Sequence, residues 1–448
     1  MEALDKLYQL IQTNDDHCVA YDKQQQYSHS RFRQDLARAI NNIQQYPHQR
    51  YLLFTDHSYT FAVNLIALFL LQKDVVLTAN PKSDWLSQIS HHFDAVIGDA
   101  ILEPLLAGDH FQTSELEQAD LDLAVTVPTQ LDNSLTFFTS GSTSQPKAIS
   151  KTIQQLLTEV SCIHSIFGSS VSSCTFLSTV SHHHIYGLIF RLLWPLLYRF
   201  PFYAEIVLYQ EQLRSLYRPL SEVCLISSPA FLSRQDHELE TIELTQCFSS
   251  GSLLSEAAAQ ASHEQLGIFP VEVFGSTETG GIGYRTQSES QACWTFFPGM
   301  SMQQNAEGIT ILSSPYLSAP YQLDDDIELL PTGQFRILGR LDRVVKIEEK
   351  RVSLDAIETT LLESSLVNAA KVVVLQHHRT YLGAVIVLSE TGRHLLNSHG
   401  KHYINQSLRS ELAERYEAVA IPRKWRYLEQ LPYNSQGKLT LDQLMGLF

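Results

Sequence analysis

An apolar run that ends abruptly in hydroxyl side chains constrains this chain more than any other segment. Residues 135–138 read Leu-Thr-Phe-Phe, and residues 139–147 read Thr-Ser-Gly-Ser-Thr-Ser-Gln-Pro-Lys. Small side chains let backbone N–H groups and hydroxyls approach phosphate oxygens closely, and Lys147 adds a cation at the end. The spacing is not that of a Walker loop, which argues against a P-loop NTPase. The residues alone leave open a polyphosphate-binding loop or a Ser/Thr-rich surface linker.

The apolar pattern around this loop predicts an α/β fold of layered sheets and helices. A mostly apolar helix is expected over residues 61–71, and buried strands are expected over 74–78 and 94–98. Apolar residues then recur at helical spacing from Ile153 to Phe167, so a helix follows the loop. In the order strand, loop, helix, the loop amides and the helix N-terminus would face one anion.

The composition bounds the class of protein. A chain of 448 residues has room for two or three domains, and 44% hydrophobic with 18% charged residues is ordinary for a globular protein. The net charge of −16 argues against a nucleic-acid partner. Six dispersed cysteines without Cys-x-x-Cys spacing argue against disulfides and structural zinc. Arginines and prolines interrupt the most apolar segment, 186–209, so no membrane span is expected. The first residues carry no signal-peptide pattern, and we expect a cytoplasmic protein.

A second domain is expected to begin near residue 342. Residues 343–448 hold 14 Lys and Arg against 11 Asp and Glu, a net charge of +3 on an otherwise acidic chain. The asymmetry indicates either a separate task or chance on a solvated surface. A helix is expected over 354–363, with Ser353 as its N-cap, and strands over 371–375 and 381–388. Together they predict a compact α+β domain.

Four further motifs carry groups suited to nucleotide chemistry. Residues 273–280 read Val-Phe-Gly-Ser-Thr-Glu-Thr-Gly, which alone could be a turn with a helix N-cap. Residues 321–326 end in three aspartates, which could be a solvated turn or a cation site. Residues 339–352 read Gly-Arg-Leu-Asp-Arg-Val-Val-Lys-Ile-Glu-Glu-Lys-Arg-Val, and residues 432–438 end in Gly-Lys, which alone would be an ordinary turn.

Two weaker segments lie between the hydroxyl-rich loop and the first of these motifs. Residues 182–187 read His-His-His-Ile-Tyr-Gly, and three consecutive histidines cannot all face one metal ion. Residues 249–254 read Ser-Ser-Gly-Ser-Leu-Leu, for which a structural hairpin is a fair alternative.

In their order and spacing, these motifs resemble those of the adenylate-forming superfamily, which includes acyl-CoA synthetases, nonribosomal peptide adenylation domains and luciferase-like enzymes. The resemblance runs from residue 135 to residue 438. It implies a large N-terminal domain over 1–341, which binds ATP and an acid, and a small mobile α+β domain over 342–448, which carries the catalytic lysine.

The resemblance also assigns roles to single residues. Catalytic roles would fall to Lys438, Thr277, Glu278 and His184, with Glu278 as the Mg²⁺ ligand and His184 beside the acyl tunnel. Asp342 would be the hinge. ATP would contact a larger set that comprises Thr139, Ser140, Gly141, Ser142, Thr143, Lys147, Gly251, Phe274, Gly275, Asp325, Arg340 and Arg351.

Within that set, Phe274 would lie against adenine, and an aspartate would hold the ribose hydroxyls. Counting back from Arg340 selects Asp325, with Asp324 and Asp326 as alternatives.

The implied reaction joins a carboxylic acid, aryl or medium-chain, to ATP as an acyl-adenylate and then transfers the acyl group to a thiol. The cofactors would be ATP and Mg²⁺, with CoA or phosphopantetheine as the thiol. Glu349 stands where the family has the glycine that lets pantetheine pass, and the net charge of +3 would suit an acidic carrier protein. Both features favour an acyl carrier protein as the acceptor. No carrier domain follows residue 448, so we expect a stand-alone ligase.

Other interpretations remain open. The acceptor could be free CoA or an amine, or the reaction could stop at the adenylate. From a different class, a degenerate nucleotide-binding regulator without turnover would fit Glu349 and Ser144, which replaces the loop's second glycine.

Overall fold

The computed structural model describes this chain except for residues 1, 14, 100–108, 113–127, 129–130, 141–145, 237, 289–291, 306–308, 348–349, 377–379 and 434–438. The described residues form two compact units. Residues 1–300 with 314–319 form the first, and residues 301–313 with 320–448 form the second. The domain boundary expected at 341/342 stays a prediction.

A nine-stranded sheet lies in the first unit. Its strands are β1 (Cys18–Tyr21), β2 (Gln26–Ser28), β9 (Thr175–Ser178), β10 (Phe202–Tyr203), β11 (Val223–Ser227), β12 (Gln246–Ser249), β13 (Val271–Ser276), β14 (Gly280–Thr286) and β15 (Thr295–Phe296). The order is β15-β14-β13-β12-β11-β9-β10-β1-β2, and the strands from β13 to β1 run parallel. Loops that follow parallel strands meet at the carboxyl edge of a sheet, where such folds bind ligands.

A six-stranded sheet completes the first unit. Its strands are β3 (Arg50–Phe54), β4 (Asp74–Leu77), β5 (Ala95–Gly98), β6 (Asp109–Gln112), β7 (Ser134–Ser140) and β8 (Pro146–Thr152). The order is β6-β5-β3-β4-β7-β8, and only β8 is antiparallel to its neighbour. The strands predicted over 74–78 and 94–98 are confirmed at β4 and β5.

Helices accompany both sheets. They are α1 (Glu2–Gln12), α2 (His29–Gln44), α3 (Ser58–Leu70), α4 (Ser83–Ile89), α5 (Ile153–Phe167), α6 (Ile185–Gly187), α7 (Trp194–Tyr198), α8 (Gln210–Tyr217), α9 (Pro229–Leu232) and α10 (Glu256–Leu266), with a π-helical turn over Leu188–Leu193. The predicted apolar helix is confirmed at α3, which is buried almost throughout because it is apolar on every side.

The helix predicted after the hydroxyl-rich loop is confirmed at α5, but β8 lies between the loop and the helix. Thr152 and Gln155 form a capping box that starts α5 only after the strand has ended. Thr136 of β7 and Ser150 of β8 join their hydroxyls across the strand pair at 2.8 Å. The loop therefore connects two antiparallel strands and does not open directly on a helix N-terminus.

The described residues of the second unit form small sheets and helices. Its elements are β16 (Ser301–Gln304), β17 (Thr310–Ser313), β18 (Tyr321–Gln322), β19 (Asp325–Leu329), β20 (Phe335–Arg340), β21 (Val344–Ile347), β22 (Lys350–Ser353), α11 (Leu354–Glu363), β23 (Val367–Gln376), β24 (Thr380–Leu388), α12 (Glu390–Ala413), β25 (Lys424–Leu428) and α13 (Leu441–Met445). The strands are antiparallel to their neighbours except that β25 runs parallel to β24. Ser353 caps α11 as predicted, because its hydroxyl accepts the Ala356 N–H at 3.2 Å. Both predicted strands are confirmed at β23 and β24.

No described helix combines the length and the apolar character that a membrane span needs.

Candidate functional site

The strand β8 presents two lysines on one face. Thr139 of β7 lies opposite Lys147 of β8, just before the connecting loop. Because side chains alternate along a strand, Lys147 and Lys151 share a face. Lys147 is exposed, with 56% of its side chain accessible, whereas Lys151 is only 4% exposed. Of the predicted loop residues, Gly141, Ser142 and Thr143 lie outside the described residues, and the side chains of Thr139 and Ser140 are likewise not described.

Thr277 and Glu278 occupy the turn between the antiparallel strands β13 and β14. Ser276 and Thr279 close the turn, since the Ser276 N–H donates to Oγ1 of Thr279 at 3.1 Å and the Thr279 N–H donates to Oγ of Ser276 at 3.2 Å. Position 275 must be glycine, because a Cβ there would lie 2.2 Å from the Gly280 carbonyl oxygen. The motif is therefore a tight hairpin turn and not the start of a helix.

This turn and the lysine-bearing strand meet. Nζ of Lys147 donates to Oε1 of Glu278 at 2.8 Å. Burial would raise the pKa of Glu278, but the hydrogen bond and the charge of Lys147 contribute to a net lowering of that pKa. The carboxylate is therefore held in its charged form. Hard oxygen ligands of this kind suit Mg²⁺, which proteins usually hold with one or two carboxylates plus substrate phosphates. The donor set at Glu278 fits that ion.

Two buried ionisable side chains that belong to none of the predicted site residues lie beneath the same turn. Lys151 donates to the main-chain carbonyl oxygen of Glu278, and Glu159 of α5 accepts the Gly281 N–H at 2.7 Å. Burial raises the pKa of Glu159 to about 7, against the Gly281 hydrogen bond and the charge of Lys151. Burial lowers the pKa of Lys151. A signal existed, because Glu159 is a charged residue among the apolar positions of α5 that face the core.

The carboxyl edge of the nine-stranded sheet brings Gly251 and Phe274 to neighbouring strands. Gly251 follows β12 with a φ of +97°, a conformation that favours glycine. The preceding Ser250 donates its hydroxyl to the Val273 carbonyl oxygen of β13 at 2.8 Å, which fastens this turn beside Phe274.

The ring of Phe274 packs on Trp294, with ring centroids 5.6 Å apart. The guanidinium of Arg285 lies 4.6 Å from the Trp294 ring, and Nε of Arg285 donates to the buried Glu272 at 2.8 Å. Phe274 thus packs on Trp294, and Trp294 is in turn held by Arg285, which Glu272 binds. None of the three is predictable from a local sequence pattern, because they lie on β13, on β14 and in the segment before β15.

His184 lies directly before α6 and is half-buried. The two preceding histidines serve the fold. His182 joins Ser58 Oγ at 3.0 Å and the Thr55 carbonyl oxygen at 2.8 Å, and the His183 ring stacks on Phe54 with centroids 4.6 Å apart. Both ring nitrogens of His182 are therefore occupied by protein atoms.

Among the described residues, one group has the spacing of metal ligands: Asp15, His17 and His29. Both ring nitrogens of His29 already contact carbonyl oxygens, at 2.9 Å and 2.6 Å. Asp15 pairs with Arg199 at 2.6 Å. These contacts occupy both ring nitrogens of His29 and one carboxylate oxygen of Asp15.

In the second unit, Asp325 and Arg340 lie directly opposite each other on β19 and β20. Their charged atoms are 3.8 Å apart, and Arg340 is also 3.8 Å from the more exposed Asp324. Asp325 and Arg340 therefore share one face of the strand pair. The Arg340 N–H donates to Asp355 of α11 at 2.7 Å. Lys438 lies outside the described residues, as do the side chains of Asp342 and Arg351.

Comparisons with known proteins agree on one family. Residues 74–302 match the family described as AMP-binding enzyme. The 4-coumarate–CoA ligase of Cereibacter sphaeroides is 28% identical over 316 residues, which cover 68% of this chain and 69% of that ligase. The D-alanine–D-alanyl carrier protein ligase of Staphylococcus haemolyticus is 33% identical over 115 residues, which cover 25% of this chain but only 22% of that ligase.

The fold agrees over nearly the whole chain. The structure of the O-succinylbenzoate-CoA synthetase of Bacillus subtilis, solved with ATP and a magnesium ion, superposes with a TM-score of 0.78. The alignment covers 98% of this chain and 99% of that enzyme at 16% identity.

Proposed function

Because this chain belongs to the AMP-binding enzymes and is an adenylate-forming acid ligase, we propose that it activates an aryl or medium-chain carboxylic acid for an acyl carrier protein. The acid and ATP would give an acyl-adenylate and pyrophosphate. The acyl group would then pass to the thiol of the carrier's phosphopantetheine arm, with release of AMP.

The ion pair between Lys147 and Glu278 carries this proposal. The hydroxyl-rich loop ends at Lys147, and the Thr277–Glu278 turn belongs to a different sheet, yet the two meet at 2.8 Å. A cation from one and a carboxylate from the other are the two charges that a metal-bound triphosphate requires.

The chemical difficulty is that one anion attacks another. A carboxylate oxygen of the acid forms a bond to the α-phosphorus of ATP, and the bond from that phosphorus to the pyrophosphate oxygen breaks. Lys147, the loop amides and Thr277 would stabilise the phosphate charge, while Lys438 would neutralise the attacking carboxylate and the α-phosphate together. Mg²⁺ held by Glu278 would supply further neutralisation of the triphosphate. Phe274 would hold adenine, and Asp325 with Arg340 would hold ribose.

The choice of acceptor rests on charge. Glu349 adds a negative side chain where pantetheine would pass, and residues 343–448 carry a net charge of +3. An acidic carrier protein would be attracted to such a surface, whereas free CoA would gain less from it. The hinge at Asp342 and a cytoplasmic location remain predictions.

Free CoA is the second candidate acceptor, and one observation favours it. The similarity to the 4-coumarate–CoA ligase covers 69% of that enzyme, against 22% for the carrier-protein ligase.

The first experiment is acid-dependent ATP–pyrophosphate exchange with aryl, medium-chain and hydroxy acids, on wild type and Lys438→Ala. We expect exchange with one class of acid and a loss of at least about 100-fold in the variant. A matched control is Lys424→Ala, a lysine on β25 whose ammonium lies over the Tyr381 ring. Absence of exchange with every acid, while ATP still binds, would favour a regulator without turnover.

The acceptor is tested by offering CoA and a phosphopantetheinylated carrier protein in separate reactions, on wild type and Glu349→Gly. We expect thioester on the carrier protein in wild type, and a selective gain with CoA in the variant. Equal or faster turnover of CoA by wild type would contradict the choice of the carrier protein.

A further inference from the structure

Two buried ionisable side chains support the turn that carries Glu278. Lys151 and Glu159 are 4% and 5% exposed, and they approach the turn from β8 and from α5. Lys151 donates to the Glu278 carbonyl oxygen, and Glu159 accepts the N–H of Gly281, three residues further on. The main chain of the turn is therefore held at both ends of Glu278–Gly281 by charged groups.

The backbone of the turn is shaped to admit Glu159. Gly280 has a φ of +70°, and a Cβ at that position would lie 2.5 Å from Oε2 of Glu159. At Gly281 a Cβ would lie 3.3 Å from Oε1. Two successive glycines thus let the carboxylate lie directly against the main chain, where a larger residue would displace it.

The two lysines of β8 reach opposite ends of one residue. Lys147 binds the carboxylate of Glu278, and Lys151, four positions along the same strand face, binds its carbonyl oxygen. Lys147 is 56% exposed, so a ligand phosphate can reach it and replace the carboxylate, whereas Lys151 is only 4% exposed. The position of the Glu278 main chain is therefore fixed separately from the contact that a ligand would replace.

A purely structural role explains these charges poorly. Two charges removed from water carry a large desolvation cost, and a neutral pair of similar size usually stabilises a fold as well. A charged donor to one carbonyl oxygen instead fixes the position of that main-chain group, because charge-assisted hydrogen bonds are short and strong.

We propose that Lys151 and Glu159 are positioning residues, which hold the Thr277–Glu278 turn so that the Glu278 carboxylate faces a metal-bound triphosphate. This inference rests on the role proposed above for Glu278. It goes further in naming two residues that touch neither substrate nor metal and yet set the site's affinity for Mg²⁺ with ATP.

The test is calorimetric titration of ATP into the full chain with Mg²⁺ and, separately, with EDTA. The variants are Lys151→Met, Lys151→Arg and the neutral pair Lys151→Met with Glu159→Gln, whose glutamine still accepts the Gly281 N–H. Mg²⁺ should raise the affinity for ATP in wild type. We expect this Mg²⁺-dependent gain to be at least about 10-fold smaller in Lys151→Met, since a hydrogen bond to a charged group is lost. We expect Lys151→Arg to recover part of that gain.

The double variant separates positioning from folding. We expect it to melt near the wild-type temperature and still lack the Mg²⁺-dependent gain, because no donor reaches the Glu278 carbonyl oxygen. Lys371→Met is the matched control: it removes one of the partners of the buried Glu358 in the second unit, at 2.6 Å, and should leave the gain intact.

A double variant that keeps the wild-type gain, or one that fails to fold, would overturn the inference in favour of a structural pair. A wild type without any Mg²⁺-dependent gain would also overturn it. Acid-dependent exchange on wild type is measured in parallel. If exchange is absent while the calorimetric pattern holds, the proposed ligase reaction fails and the positioning role stands.

Discussion

Nζ of Lys147 lies 2.8 Å from Oε1 of Glu278, although the two residues are 131 positions apart in the chain. The lysine belongs to the six-stranded sheet, and the glutamate belongs to a hairpin turn of the nine-stranded sheet. The pair therefore joins β8, an edge strand of one sheet, to the turn between β13 and β14 of the other. A triphosphate bound at this point would accept hydrogen bonds from Lys147 in place of Glu278, and the Glu278 carboxylate would then bind the metal ion of the triphosphate.

Glu278→Gln keeps the shape of the side chain and removes its negative charge. We expect acid-dependent exchange to fall about 10²- to 10³-fold, because a preorganised charge at the phosphates is lost. The melting temperature should change little, since a partly exposed ion pair contributes roughly 0.2–1 kcal/mol. Glu328→Gln, which breaks an exposed pair with Arg336, is the control and should retain full exchange. Equal exchange by the two variants would show that the charge of Glu278 has no role in the reaction.

Phe274→Ala removes the ring predicted to lie against adenine. Stacking of a base on an aromatic ring is worth about 1–3 kcal/mol, so we expect the KM for ATP to rise about 5- to 100-fold with little change in the KM for the acid. Phe269→Ala is a matched control, because Phe269 is a half-buried ring at the opposite end of β13, where it stacks on His263. A rise in the acid's KM alone would assign Phe274 to the acid and not to adenine.

Asp325→Asn tests which of the three aspartates holds ribose. Asp325 is 17% exposed and lies opposite Arg340, whereas Asp324 is 63% exposed. We expect the KM for ATP to rise about 10-fold or more in Asp325→Asn, because a charged acceptor of two hydroxyl groups is lost. Asp324→Asn and Asp326→Asn serve as controls with smaller effects. The assignment is wrong if either control raises the KM for ATP more than Asp325→Asn does, as measured by steady-state kinetics at saturating acid.

His183→Asn tests the acid sensitivity of the fold. Burial, with the nearby His184 and Arg191, lowers the pKa of His183 to about 3, whereas an unfolded histidine titrates near 6.5. The unfolded chain therefore binds the extra proton between these values. The stability that the neutral ring contributes is complete above pH 6.5 and is lost as the pH falls toward 3, by about 1.4 kcal/mol per pH unit.

The measurement is the free energy of unfolding in urea between pH 4 and pH 7. Its pH slope should be smaller in His183→Asn than in wild type, whatever the offset between the two curves. The exposed His394→Asn is the control and should keep the wild-type slope. An unchanged slope in His183→Asn would mean that the ring does not titrate as its burial implies.

Local sequence signals predicted elements well where the signal was itself local. The helix α11 has the bounds expected, because the cap at Ser353 and the apolar spacing that follows are properties of neighbouring residues. The strand β8 was missed, because Pro-Lys-Ala-Ile-Ser-Lys-Thr contains few strand-forming residues and is held by its pairing with β7. The expected order of strand, loop and helix failed for that reason alone.

The sequence by itself determined the order of the motifs and the residue types at each of them, and the resemblance of these motifs to those of a known superfamily indicated the family. Only the tertiary structure decided which charges meet. Lys147 reaches Glu278, Arg340 faces Asp325, and Lys151 with Glu159 lies beneath the Glu278 turn. Such contacts depend on sheet order, strand register and burial, which the packing of the whole core sets cooperatively and no short segment encodes.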